Sequence, residues 1–308
     1  MGDTEWCEKY PSYQSVSRTI LEILLCILIV ASYVPQYVSI VSHGTHAISS
    51  RFILFHGLFS VLVFGLRLQI PAFYDAFNCV DGGPYTGWKA LSSLLGFIQS
   101  AVQFASAMLL VVLYVKHRTP SLPDEPSEAP MPGIPSQTIA RVISTTAIVV
   151  LPISLAFLWC NQYPAFDRDD ETKLGNIVAV YGIGLGIWGT LLLPANLVFL
   201  VLQFVYQIET IGTLSSTGTL SLISLLLQAV VFTTLAFSQT MRSWSAIVWP
   251  SWPDFNSLGR LFEWFLAFYY GINTHVAYLL VGIGFVVLFV FSLLEGRRNA
   301  PGAIQLDV

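Results

Sequence analysis

The side chains able to do chemistry in this sequence are amides and histidines, and they stand inside apolar runs. Gln36 follows Pro35 in "SYVPQYVSIVSHGTHAISS" (Ser32–Ser50), His56 lies in the next run, and Gln99 and Gln103 fall four apart in "GFIQSAVQFASAM". Asn196 comes two residues after Pro194 in "LLLPANLVFL"; Gln207, Gln228 and the pair Asn273 and His275 in "GINTHVAYLL" complete the set. An amide donates and accepts hydrogen bonds, and imidazole changes charge near neutral pH. In apolar surroundings such groups are costly unless they face a cavity or one another. Two readings stay open for each: a lining for a polar solute's path, or hydrogen bonds between helices. Pro35 and Pro194 each remove an N–H and clash with the preceding turn, freeing the Ala31 and Thr190 carbonyls. They are read as hinges, with a static kink as the alternative. Glu22, near the start of its run, is expected to snorkel to the interface.

Catalytic signatures are scarce. No Cys/His cluster has metal-ligand spacing, and neither G-x-S-x-G nor a P-loop occurs. "GLGIWG" (Gly184–Gly189) matches G-x-G-x-x-G, but no strand precedes it; Gly182 and Gly186 read instead as a small-xxx-small pair for close helix packing. No catalytic residue, metal or cofactor is therefore expected.

The elements that must carry these residues are long and apolar. Of 308 residues 55% are hydrophobic and 10% charged, with mean hydropathy +0.68, against about 25% charged in a soluble domain. Net charge is -4 and basic clusters are lacking, which argues against a nucleic-acid partner. The chain reads as an all-α integral membrane protein, its partners the lipid bilayer and a small-molecule solute. Seven spans are expected at about Ile20–Ile40, Phe52–Leu68, Ala90–Val115, Ile139–Cys160, Ile177–Ile208, Leu220–Phe237 and Phe265–Leu294. The acidic start "MGDTEWCEKY" suits an uncleaved N-terminus. Trp6, Trp88, Trp159, Trp244, Trp249, Trp252 and Trp264 read as an interface belt, with "NSLGRLFEWFLAFYY" as an interfacial helix leading into the last span. Lys116, Arg118, Arg141, Arg297 and Arg298 flank one face and the acidic "DRDDE" (Asp167–Glu171) the other. This places the N-terminus lumenal or external and the C-terminus cytosolic. Cys7, Cys79 and Cys160 fall near the lumenal face, either as a disulfide site or as free thiols.

The spans group as three, one and three. A tail (1–19) precedes a first three-helix repeat (20–115). A Pro-rich acidic loop (116–138) leads to a linker helix (139–160), and a second repeat (174–294) is followed by a tail (295–308). "HAIS" (His46–Ser49) aligns with "GTLS" (Gly218–Ser221), and seven residues after each Ser stand His56 and Gln228. Pro35-Gln36 corresponds to Tyr206-Gln207, with one inserted residue. The expected architecture is two parallel three-helix bundles joined by a linker helix, with a site between them near mid-membrane.

"YVPQYVSIVSHGTHAIS" resembles the first motif of the PQ-loop repeat proteins, and "VYQIETIGTLSSTGTLS" resembles a second copy in which Tyr206 replaces proline. That family includes cystinosin-like lysosomal and vacuolar amino-acid exporters and is akin to the SWEET sugar transporters and the KDEL receptor. The resemblance implies a seven-transmembrane transporter of an amino acid or sugar in a vacuolar, lysosomal or other endomembrane. It also implies substrate contacts from the third helix of each half, where Gln103 and Asn273 occupy comparable regions. Glu209 is the acidic residue nearest the second motif. The substrate path is expected to comprise Gln36, His56, Gln99, Gln103, Asn196, Gln207, Gln228, Asn273 and His275, with Pro35 and Pro194 flexing. Two alternatives belong to other classes. One is an intramembrane enzyme, such as a membrane-bound terpene cyclase acting on a prenylated substrate; the other is a seven-helix receptor or sorting protein.

Overall fold

The computed structural model describes residues 16–45, 48–68, 87–118, 133–162, 171–214, 220–246 and 258–298, and within these the side chains of 157–162, 171–187, 214, 242–246, 258–274 and 298 fall outside the description. The described chain is helical: α1 (Val16–His43), α2 (Ser50–Leu68), α3 (Trp88–His117), α4 (Ser136–Gln162), α5 (Glu171–Leu214), α6 (Leu222–Ala246) and α7 (Leu258–Arg298). All seven are long and apolar enough to cross a membrane. The observed helices overrun the expected spans at nearly every end. Most of the extra residues are polar or charged, so hydropathy alone stops short of them. The expected interfacial segment is continuous in backbone with α7 from Leu258 onward. Helix α1 ends where Gly44, at φ 80°, turns back so that its N–H bonds the Ile40 carbonyl at 3.0 Å. A left-handed residue is cheapest as glycine.

Burial is inverted relative to a water-soluble protein. On α1 the exposed positions are Ile20, Leu21, Leu24, Ile27, Leu28, Val30, Val34, Val38 and Val41, whereas Thr19, Glu22, Ser32 and Gln36 are buried. Lipid is as apolar as leucine, so the outer face loses nothing by exposure while the polar groups gain from meeting one another. Glu22 departs from the sequence expectation. It does not snorkel outward but is 3% exposed, with its Oε1 accepting from Arg18 Nε at 3.3 Å. A carboxylate one turn from a cation is better stabilised by that pair, inside the bundle, than by facing acyl chains.

Helix α1 packs on α3 and α6; α2 packs on α3, α4 and α5; α7 packs on α5 and α6; and α3 touches α4. Helix α2 is thus the most enclosed, which accounts for its near-continuous burial. It approaches α4 closely because Gly57 and Gly65 present no Cβ to Ile143 and Val150. Hydrogen bonds fix relative directions. Thr19–Ser92 and Tyr37–Ser106 run the same way along α1 and α3, so these helices are parallel. Gln36–Ser221 and Ser32–Ser224 run opposite ways, so α1 and α6 are antiparallel. Ser49–Gln207 and His56–Gln203 make α2 and α5 antiparallel.

Candidate functional site

Each of the two glutamines singled out beside the motif positions ties itself to the start of a distant helix. Gln36 Oε1, on α1, accepts the Ser221 N–H at 3.0 Å, immediately before α6. Gln207 Oε1, on α5, accepts the Ser49 N–H at 3.0 Å, immediately before α2. Both serines then begin their helices alike, each carbonyl accepting from the residue four on, Ile53 and Leu225, at 3.1 Å. The first N–H groups of a helix have no partner within it, and an amide oxygen meets both the orphan donor and the positive helix end. A third bond joins the same region: Ser224 Oγ donates to the Ser32 carbonyl at 2.7 Å, next to the Ala31 carbonyl that Pro35 frees.

Deeper in the bundle His56 is 1% exposed and has a partner on each ring nitrogen. Nδ1 lies 2.9 Å from Gln203 Oε1 and Nε2 lies 3.3 Å from the Tyr33 hydroxyl. An amide oxygen only accepts, so Nδ1 carries the proton and Nε2 accepts from Tyr33; both are met by a neutral imidazole. The Phe52 ring stacks on the imidazole at 5.5 Å. Gln103, fully buried, lies beside the Tyr33 hydroxyl. Neither of its amide atoms forms a well-aligned hydrogen bond among the described residues, and the same is true of Gln203 Nε2, the Tyr278 hydroxyl and Asn196 Oδ1. Buried polar atoms are normally satisfied, so a concentration of unmet donors and acceptors marks a place for something else.

A small cavity sits between these layers, lined by Gln36, Ile48, Phe52, His56, Leu225 and Gln228 with Leu110 and Phe285; its volume of about 10 Å³ admits about one water. The linings pair off by the spacing that relates Ser49 to Ser221: Ile48 with Leu220, Ile53 with Leu225, His56 with Gln228.

Gln36, His56 and Gln228 line one cavity. Gln207 is buried and bonded at its rim. Gln103 is buried beside Tyr33, and Asn196 is buried on α5 without lining the cavity. Gln99 belongs elsewhere: its Oε1 accepts from Gln239 Nε2 at 2.7 Å and its Nε2 donates to the Glu22 carbonyl at 3.3 Å. His275 is 7% exposed, and neither ring nitrogen has a hydrogen-bond partner among the described residues. Pro35 and Pro194 lie inside unbroken helices. The Asn273, Trp159, Trp244, Trp264 and Cys160 side chains lie outside the described residues, as do Trp6, Cys7, His46, Cys79, Gly218, Trp249 and Trp252. Trp88 is 40% exposed at the start of α3.

Sequence reasoning missed Tyr33, Gln203, Arg67 and Gln239. The first two carry a signal, since Tyr33 precedes Gln36 by three and Gln203 precedes Gln207 by four, helical neighbours on one face. Arg67 stands where an apolar run ends and reads as an edge residue, yet it is 2% exposed. Tyr206 stacks on Phe55 at 5.6 Å and lies 4.8 Å beneath the Arg51 guanidinium. It anchors α5 to α2 through its ring.

Among the described residues, seven long helices with apolar outer faces and polar side chains buried within a hydrophobic core define a multi-pass integral membrane protein of all-α class. No protein-family model, curated protein or solved structure matches the chain.

Proposed function

We propose that the chain is a PQ-loop-type transporter that moves a small polar solute, an amino acid or sugar, by alternating access. On this reading α1–α3 and α5–α7 are two parallel three-helix bundles joined by α4. The observation that carries it is the reciprocal pair of bonds, Gln36 to Ser221 and Gln207 to Ser49. Equivalent residues in each half hold the opposite half, as in an internally duplicated transporter with its site at the repeat interface. The packing agrees, since α1 meets α6 as α5 meets α2, and α3 touches α1 and α2 as α7 touches α5 and α6. Gln103, Tyr278 and Gln203 supply unmet hydrogen-bonding atoms near Tyr33 and His56, where a polar solute would replace the water it leaves. Pro35 and Pro194 are the flexing points. Among the described residues the cavity is lined by two amides and one imidazole and by no carboxylate, which favours a solute path over acid-initiated cyclisation of a prenyl chain.

Reconstituted vesicles offered labelled amino acids and sugars test the proposal. Wild-type vesicles should accumulate a solute, and Gln36→Ala and Pro35→Ala should slow uptake while the protein stays folded. Uptake by both variants at the wild-type rate would remove the motif from the mechanism. Termini tagged in an endomembrane should be protected from protease at the N-terminus and cleaved at the C-terminus.

A further inference from the structure

Helix α2 is buried along its length except at Arg51, Leu54, Phe55 and Phe64, which are half-buried. The first three share one face at the start of the helix, at the seam between α2 and α5. The groups at this seam form a ladder. The Arg51 guanidinium carbon stands 4.8 Å from the centre of the Tyr206 ring, Tyr206 stacks on Phe55 at 5.6 Å and 12°, and Phe55 meets Phe199 at 5.6 Å. Tyr206 and Phe199 are half-buried as well. Seven residues separate them on α5, about 10 Å of helix, so the rings run from the end of the span most of the way across one leaflet. Arg51 makes neither an ion pair nor a side-chain hydrogen bond among the described residues, and Glu209, three residues beyond Tyr206, forms no ion pair with it. The packing of α2 on α5 does not demand a cation and rings. The seam between α1 and α6 carries the same kind of bond, Gln36 on Ser221. Counted from Ser221 as Arg51, Leu54 and Phe55 are counted from Ser49, its residues are Ile223, Leu226 and Leu227. Counted from Gln36 as Tyr206 and Phe199 are counted from Gln207, they are Pro35 and Leu28. Ile223, Leu226 and Leu28 are exposed there, and aliphatic side chains suffice against lipid.

We infer that the α2–α5 seam binds an anionic phospholipid, with Arg51 on its phosphate and one acyl chain along Tyr206, Phe55 and Phe199. Arg51 is the second residue of a membrane-length helix, at the depth where the phosphates of that leaflet lie. Its guanidinium is a planar fork that matches two phosphate oxygens, and seating it on the Tyr206 ring fixes its direction. A free phosphate ion would meet the fork and leave the rings uncovered. A zwitterionic lipid brings an ammonium to its own phosphate, so the unpaired cation selects a headgroup of net negative charge. The occupied seam is the one that Gln207 on Ser49 and His56 on Gln203 already join, so the lipid would clasp the same two helices from outside.

Native mass spectrometry of the full-length protein in mild detergent, titrated with lipid, decides it without any transported solute. Phosphatidylglycerol and phosphatidylcholine of identical chains are added separately. The wild-type chain should bind phosphatidylglycerol about tenfold more tightly, the factor that a hydrogen bond to a charged group contributes at its lower limit. Arg51→Gln should abolish that preference, and Arg51→Lys, which keeps the charge without the fork, should retain part of it. Arg141 is an exposed cation on α4, whose approach lies beside the start of α2 through the Ile134 N–H on Ser50 Oγ at 3.0 Å. Arg141→Gln should leave the preference intact. Phe55→Ala, with Arg51 in place, should weaken both lipids alike, and millimolar inorganic phosphate should displace neither. No preference in the wild type, a preference that survives Arg51→Gln, or an equal loss in Arg141→Gln overturns the site. Displacement by inorganic phosphate, or unchanged binding in Phe55→Ala, would leave an anion contact without a lipid and overturns it as well.

Discussion

Gln36 and Gln207 make the same bond, so truncating each should have the same effect only if their surroundings match, and they do not. The Ser49 N–H that Gln207 serves is buried, and Gln207 itself is 0% exposed. The Ser221 N–H that Gln36 serves is only part-buried, and Gln36 is 5% exposed. Leaving a buried donor unsatisfied costs about 1–3 kcal/mol, whereas a donor that water can reach recovers most of its hydrogen bond. Gln207→Ala should therefore cost about 2 kcal/mol or more from the lost bond, and Gln36→Ala about 1 kcal/mol. The apolar atoms deleted are the same in both variants and cancel in the comparison. Because the two bonds join different helix pairs, the double variant should lose close to the sum. Reversible unfolding of purified protein in mixed detergent micelles, followed by circular dichroism, gives all three values in one series. Gln207→Glu, which keeps an acceptor in place, should recover part of the loss. Equal costs for the two alanine variants, or a Gln36→Ala cost above that of Gln207→Ala, would refute the assignment of these bonds as helix-start contacts of unequal burial.

Three further outcomes follow from the packing. Gln103→Leu should raise thermal stability, by about 1 kcal/mol, because it removes a buried amide with no well-aligned hydrogen bond, and it should lower solute uptake; a fall in melting temperature would show that the amide is satisfied. His56→Phe removes the 2.9 Å partner of Gln203 Oε1 as well as the 3.3 Å partner of Tyr33 and should cost about 2–3 kcal/mol, against about 1 kcal/mol for Tyr33→Phe, which leaves the bond to Gln203 in place; reversal of that order in micelle unfolding would contradict the geometry. Gly284→Ala sets a Cβ against the Phe204 ring, itself held edge-on by Phe285 at 5.3 Å, and should lower the melting temperature by several degrees, whereas Gly296→Ala, with open space around it near the end of α7, should leave it unchanged or raise it slightly.

Much of the architecture is legible in the sequence because a bilayer imposes one rule on every span. A stretch that crosses lipid must be long, apolar and helical, so hydropathy alone locates seven helices and leaves their polar residues conspicuous. Gln36, His56 and Gln228 could be marked as a group for that reason, and the shared spacing after Ser49 and Ser221 linked two of them before any coordinates. Partners are another matter. Gln99 and Gln103 share one helix face, yet Gln99 is bonded to Gln239 while Gln103 lies beside Tyr33. One turn of helix separates two depths of the bundle, and nothing local says which helix stands opposite each. Arg67 and Glu22 look like edge residues because a charge near the end of an apolar run has water within reach of its long side chain. Only the packing of α2 among α3, α4 and α5, and of α1 against α3 and α6, turned both inward. The sequence by itself determined where the membrane-length apolar helices of the described residues lie and which side chains cannot face lipid. Tertiary structure decided which of those side chains meet, because hydrogen bonds between helices depend on depth and facing, and neither is written in the order of residues along one chain.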